Sequence, residues 1–248
     1  MDPEQTLVGG NTSGDVVRVG STVRKRWLSS TPRVVAYMDA LREQGIDVPR
    51  TYGRDEHGRL VLDFVPGTLG IEMAPLSVEL VQRVGAVVRD IHNASRRVSV
   101  PRDWDVTLPA AHPDLVCHND LATWNLVIDD DRLVFIDWDG AGPSSRVWDL
   151  AYAAISFAHL FPDAVVQDCA MRLAAFLNGY DASPELRRAL PDVLVERSLA
   201  MYELLRTSHE AGVEPWGSMY VEGHGDHWLM TSRFISEHHG IWVGAAQE

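Results

Sequence analysis

Short apolar runs broken by glycine and polar turns open the chain. Leu7-Val8 leads into Gly9-Gly10-Asn11-Thr12-Ser13-Gly14, Asp15 to Gly20 alternates Val with Arg, and a Ser21-Thr22 turn precedes Val23-Arg24-Lys25-Arg26-Trp27. This alternation predicts a meander of antiparallel strands. The period then changes. Val34, Val35, Met38 and Leu41 recur at helical spacing, so a helix is expected over about 32–44, with Pro32 in its first turn and Gly45 as its stop. Strands are expected again near 51–52 and over 59–65, separated by an Asp-Glu-His-Gly turn, and Pro66-Gly67 closes the region.

Beyond Gly67 the pattern is mostly helical. Ser77 is a good N-cap for a helix over 78–94, whose apolar face carries Val78, Leu80, Val81, Val84, Val87, Val88 and Ile91. Residues 98–113 are proline-rich and irregular. Strands are expected at 115–117, 126–128 and 133–137, then helices over 145–160, 163–179, 184–207 with an interruption near Pro191, and 226–239. The pattern is α+β: a strand-rich region over 1–66 and a larger helical region over 67–248.

Charge sharpens that division. The 248 residues carry 22 basic and 35 acidic side chains, a formal charge of -13. Residues 1–66 hold nine of each sign and are neutral, so the whole excess lies in 67–248. Such acidity argues against a nucleic-acid partner, which calls for clustered Lys and Arg. No apolar run approaches the ~18 residues of a membrane span, and Met1-Asp2-Pro3-Glu4 lacks the order of a signal peptide. A soluble, cytoplasmic protein with no membrane partner is expected. Two cysteines, Cys117 and Cys169, have no disulfide or metal spacing, and Cys117 reads as a buried reduced thiol. Lys25 is the single lysine of the chain.

The chemistry-bearing signal is His118-Asn119-Asp120-Leu121-Ala122-Thr123-Trp124-Asn125, followed by Phe135-Ile136-Asp137-Trp138-Asp139. Phosphoryl transfer explains why these residue types occur in this order. A carboxylate must accept or orient the proton of the attacking hydroxyl, and further oxygen ligands must hold magnesium on the triphosphate. Asp120 suits the first task, and Asn125 and Asp137 suit the second.

Here the chain resembles the aminoglycoside phosphotransferase family. The resemblance is strongest at 116–128, 134–151 and 60–67, and it includes the Asp149-Leu150-Ala151 that follows the second motif. It implies a bilobal protein-kinase-like fold, with a small antiparallel-sheet N-lobe over 1–66 and a larger, mostly helical C-lobe over 67–248. It implies that Asp149 braces the catalytic loop from the start of a helix, and that His118 supports the loop instead of transferring protons.

The front lobe should then bind ATP or GTP. Backbone N–H groups of Gly9, Gly10, Asn11, Thr12, Ser13 and Gly14 could cover the phosphates, although the segment does not reproduce G-x-G-x-x-G. Val23 and Lys25 share a strand face, and Lys25 resembles the kinase lysine that contacts the phosphates, with Arg24 or Arg26 as substitutes. Asp63-Phe64-Val65 would be the interlobe linker, whose backbone receives the base edge. One departure stands out. The kinase lysine usually pairs with a Glu on the next helix, and here that helix offers only Asp39, with Glu43 near its end.

For the acceptor site, Asp139, Glu203, Glu210, Glu214, Glu222 and Asp226 are candidates, with Trp216, Tyr220 and Trp228 nearby in sequence. Carboxylates and aromatics suit a polyhydroxylated, possibly cationic small molecule. His224, His227, His238 and His239 lack metal-site spacing and read as surface or packing residues. The expected activity is transfer of a γ-phosphate from ATP or GTP with Mg2+ to a small-molecule hydroxyl, an antibiotic such as an aminoglycoside among the candidates. The alternative is a kinase-fold binding or immunity protein that does not phosphorylate.

Overall fold

Strand register sets the first layer. The computed structural model of the chain describes residues 3–7, 16–101 and 103–248. Strands β1 (Gln5–Leu7), β2 (Val16–Val19), β3 (Thr22–Lys25), β4 (Thr51–Arg54) and β5 (Leu60–Asp63) form an antiparallel sheet in the order β1-β2-β3-β5-β4. Val23 lies opposite Leu62 and Lys25 opposite Leu60, so all four side chains share one face. The Gly9 to Gly14 segment falls outside the described residues.

Helix α1 (Thr31–Glu43) follows β3 and buries Val34, Tyr37, Met38 and Leu41 in the core that also takes Leu60 and Leu62. It stops as the pattern predicts. Gly45 takes φ +84°, its N–H donates to the Arg42 carbonyl, and that of Ile46 donates to Leu41.

Two small sheets then hold the loops that matter. Strand β6 (Thr68–Leu69) pairs with β8 (Leu126–Asp129), which pairs with β9 (Arg132–Phe135). Strand β7 (Leu115–Cys117) pairs with β10 (Gly142–Ser144). The segment 118–125 links β7 to β8, and 136–141 links β9 to β10, so paired strands at both ends bring the two motifs together.

Helices form the rest: α2 (Val78–Ser95), α3 (Arg146–Phe157), α4 (Val166–Tyr180), α5 (Pro184–Ala211), α6 (Trp216–Met219), α7 (Gly225–Glu237) and α8 (His239–Gln247). Ser77 caps α2 by accepting from Leu80 N–H at 3.2 Å, as the sequence predicts. Helices α2 and α4 cross in contact at Gly85 and Gly179. A Cβ on Gly179 would sit 1.8 Å from the Gln82 carbonyl, and one on Gly85 would sit 2.2 Å from that of Phe176.

Three expectations are corrected. Helix α5 runs through Pro191 without interruption. Proline removes one backbone bond at about 3 kcal/mol, but Leu190, Leu194, Met201 and Leu205 lie buried along the same stripe, each worth about 1.5–3 kcal/mol. Helices α6 and α8 were not expected. The α8 segment has two glycines and little helical propensity, and it forms because Trp242, Ala245 and Ala246 bury against α4 and α5. The third strand ends at Lys25, short of Trp27. Among the described residues no helix is long and apolar enough to cross a membrane.

Candidate active site

Lys25 ends β3 on the buried face, 6% exposed. Its Nζ lies 3.0 Å from Asp137 Oδ1 and 2.7 Å from Asp139 Oδ1. Burial works to strip its proton, but the two carboxylates outweigh burial and hold the ammonium above its ordinary pKa. The partners come from the β9–β10 link, not from α1. Asp39 pairs with Arg42 at 3.2 Å, and Glu43 is exposed.

Asp137 takes φ +57° at the turn after β9, and the Trp138–Gly140 turn follows directly. A non-glycine residue seldom adopts this region, and here flanking bonds fix it. Ile136 N–H donates to the Asn125 carbonyl at 2.9 Å, and Ala141 N–H donates to that of Trp138.

Asn125 ties the second motif to the first. Its Nδ2 donates to the Asp120 carbonyl at 3.0 Å and to Asp120 Oδ2 at 2.7 Å. With the amide hydrogens engaged on Asp120, Oδ1 is the atom Asn125 can offer a cation. Asp120 is half-buried, and desolvation, with the nearby charge of Asp137, pushes its carboxyl up to about 7. Tyr152 and Trp124 face that carboxylate with their polar hydrogens and work in the opposite direction.

His118 is fully buried beneath the loop. Its Nδ1 accepts from Asp120 N–H at 3.3 Å, so Nε2 carries the proton and donates to the Ile136 carbonyl at 3.1 Å. Burial lowers its pKa, and the ring packs 4.4 Å from Trp138. A neutral imidazole with both nitrogens bonded braces the loop, and its one proton is held on the Ile136 carbonyl.

Asp149, at the start of α3 and 1% exposed, accepts from Asn119 N–H at 2.8 Å through Oδ1. Its Oδ2 lies 3.0 Å from His92 Nε2, and His92 Nδ1 lies 2.8 Å from the Tyr180 hydroxyl. Arg146 donates to that hydroxyl at 2.9 Å. The hydrogen-bonded chain therefore runs from Arg146 through Tyr180 and His92 to Asp149, whose carboxylate accepts from His92 and from Asn119 N–H and so holds Asn119 at φ +65°. His92 and Tyr180 were not singled out in the sequence. The available signal was a polar residue, His92, at a buried position of the α2 stripe.

His92, Cys117 and Asp149 also lie close enough to suggest a metal cluster. Both ring nitrogens of His92 are engaged, and burial with the charge of Asp149 keeps the Cys117 thiol protonated. The cluster is a hydrogen-bonded brace.

At the linker, Asp63 N–H donates to the Arg50 carbonyl and Phe64 N–H to that of Ser21, each at 2.9 Å. A base edge arriving there would have to use Val65 N–H or the linker carbonyls. The Arg18 guanidinium stacks 3.7 Å over the Phe64 ring.

The acceptor candidates separate. Asp139 stands on Lys25, and Trp228 stacks on Tyr152 with ring centres 5.8 Å apart, beside Asp120. Glu203 and Glu210 both pair with Arg206, Glu214 accepts from Ser218 N–H, and Glu222 and Asp226 are exposed. Tyr220 stacks on His209, and Trp216 is half-buried. His227 packs against Phe161, His238 bonds the Phe234 carbonyl, and His239 pairs with Asp192. Trp124, 36% exposed and part of the 118–125 segment, was overlooked in the sequence.

The site thus sets an ammonium, three carboxylates and an amide oxygen around one point where a sheet meets a loop. This architecture is that of the protein-kinase-like fold. Residues 96–191 match the model of the phosphotransferase enzyme family, APH, so the family resemblance is shown over the segment that carries the motifs. The chain is 27% identical over 232 residues to the trifolitoxin immunity protein of Rhizobium leguminosarum bv. trifolii, 87% of each chain. Among solved structures it is similar to a choline/ethanolamine kinase family protein from Mesorhizobium loti, with TM-score 0.69, 16% identity and coverage of 99% of this chain and 92% of that one. It is also similar to the amicoumacin kinase hAmiN in complex with AMP-PNP, Ca2+ and Ami, with TM-score 0.68, 16% identity and coverage of 96% and 88%.

Proposed function

We propose that the protein is an ATP- or GTP-dependent O-phosphotransferase acting on a small hydroxylated molecule. One observation carries this reading: Lys25 from the sheet reaches Asp137, while Asn125 holds Asp120 in the adjoining loop. Residues 1–66 would form the nucleotide-binding lobe, with Lys25 and the Gly9 to Gly14 segment on the phosphates and residues 63–65 at the base. Residues 67–248 would carry catalysis and the acceptor.

Asp120 would orient the acceptor hydroxyl and accept its proton as the phosphoryl group arrives. Asp137 and Asn125 offer only oxygen atoms, a donor set that fits Mg2+, and when bound this ion neutralises charge on the triphosphate. On nucleotide binding Lys25 would exchange its carboxylate partners for phosphate oxygens. His118 and Asp149 keep the loop in place throughout. The acceptor would lie against Trp124, Tyr152 and Trp228. A cationic or polyhydroxylated ligand, an antibiotic or toxin among the candidates, suits aromatic faces beside carboxylates. The neutral front region and acidic remainder agree with an anionic donor on one side and such an acceptor on the other. A cytoplasmic site of action follows from the nucleotide requirement.

The test is nucleotide turnover against a panel of hydroxylated amines, aminoglycosides and other antibiotics, with Asp120→Asn and Asp137→Ala as controls. Turnover that survives both substitutions would sink the assignment.

A second reading has its own support. A relative named as an immunity protein matches 87% of the chain, so the fold could protect by sequestering a toxin without phosphorylating it. Calorimetry with Mg2+ and ATP or GTP separates the two. Tight magnesium-dependent binding favours the enzyme, and its absence favours sequestration.

A further inference from the structure

Arg197, in the middle of α5, is only 3% exposed. Its guanidinium carbon lies 4.3 Å from the ring centre of Tyr152 and 5.3 Å from that of Trp148, both on α3. Its Nη2 donates to the Asn119 carbonyl at 3.4 Å. Nε and Nη1 are buried and find no hydrogen-bond partner among the described residues. The carboxylates of Asp149 and Asp120 act on this cation through their charge without bonding to it. An apolar residue of similar length would fill this place at lower cost, because a buried cation without a bonded counter-ion is expensive. The charge is therefore tied to what surrounds it.

What surrounds it is the immediate support of Asp120. Asn119 precedes Asp120 and sits at φ +65°, its N–H fixed by Asp149 and its Nδ2 donating to the carbonyls of Gly140 and Gly142. Its carbonyl is the remaining backbone handle, and Arg197 holds it. Tyr152 is buried, faces the Asp120 carboxylate with its hydroxyl, and has both the guanidinium and Trp228 packed against its ring. Arg197 thus touches both routes by which the position of Asp120 is set, the peptide before it and the hydroxyl beside it.

We propose that Arg197 is a positioning residue: through the Asn119 carbonyl and the ring of Tyr152 it fixes where the Asp120 carboxylate stands. This rests on the reading of Asp120 as the group that orients the acceptor hydroxyl. Arg197 touches no reacting atom. Its substitution should alter the chemical step and leave nucleotide binding, which belongs to Lys25 and the sheet, in place.

The experiment compares wild type, Arg197→Met, Tyr152→Phe, the double variant and Asp120→Asn in Mg–ATP hydrolysis with water as acceptor. Melting temperature and Mg–ATP calorimetry are measured on each. Arg197→Met should lower kcat by about 100-fold, the scale of a small misplacement of a reacting group, with KM and Kd for ATP within about twofold. Tyr152→Phe should lose less, and the double variant should lose no more than Arg197→Met, because both act through one carboxylate. The proposal falls if Arg197→Met keeps kcat within about twofold of wild type while Asp120→Asn loses it. It falls equally if the two losses multiply, or if kcat falls only together with ATP affinity and melting temperature. If Asp120→Asn turns ATP over like wild type, the reading of Asp120 itself is wrong.

Discussion

Lys25 Nζ sits 2.7 Å from Asp139 Oδ1, so the lysine of the sheet takes its second carboxylate from the same short segment that supplies Asp137. The helix after β3 contributes none. A Lys25 paired in this way needs no repositioning of α1 to be held in the cleft, and its release is coupled to whatever engages Asp137 and Asp139.

Lys25→Met should therefore reduce kcat/KM for the nucleotide by about 100-fold, whereas Asp39→Asn should change it by less than about twofold, since Asp39 pairs with Arg42 on the surface of α1. Steady-state kinetics at varied nucleotide concentration checks both. A large effect at Asp39 would return the partner role to the helix.

Asp120 links activity to stability with opposite signs. Its carboxyl is raised from 3.8 to about 7 by burial and Asp137. The unfolded chain gives up this proton near pH 4 and the folded protein only near pH 7, so the group subtracts stability as pH rises between them. Asp120→Asn should abolish turnover and yet stabilise the ligand-free protein at pH 8 by about 2 kcal/mol, allowing for the partial exposure of the carboxylate. The gain should vanish near pH 4. Denaturant melts at the two pH values measure it.

Asp149→Asn should have the opposite effect on stability. It sets an amide hydrogen against the His92 Nε2 proton and weakens the hold on Asn119 N–H, in a site where both partners are fully buried. Breaking such a buried network costs about 3 kcal/mol. Urea unfolding should show a lower midpoint with an unchanged slope, and turnover should fall because the loop before Asp120 loses its anchor.

Two glycine substitutions separate packing from propensity. Gly179→Ala drives a methyl into the Gln82 carbonyl at the α2–α4 crossing and should cost about 2–3 kcal/mol. Gly240→Ala in α8 meets open space and should stabilise by about 0.5–1 kcal/mol. Thermal melting of both variants checks the pair.

Much of the architecture was legible because local patterns here agree with the tertiary fold. Ser77 before an apolar stripe gave α2, Gly45 after Leu41 gave the end of α1, and short continuous apolar runs gave the strands around the two motifs. Where prediction failed, burial outweighed local preference. Pro191 reads as a break until Leu190 and Leu194 are seen packed on either side of it, and the glycine-bearing α8 segment gives no helical signal until Trp242 is seen inside. At the candidate site the order of Asp120, Asn125 and Asp137 could be read from spacing, since a loop between two strands returns to the same place. His92, Tyr152 and Arg197 could not, because each meets the loop from a different helix.

The sequence alone therefore determined which residue types make up the candidate site and in what order, because motif spacing and period are properties of the chain. Only the tertiary structure decided what each charge faces. The partners of Lys25 are Asp137 and Asp139 and not a helix carboxylate, the buried cation near Asp120 is Arg197, and His92 braces Asp149. These pairings span roughly 50 to 110 residues of chain. Such separations carry no local signal, and the pairings are set by how sheet, loops and helices pack.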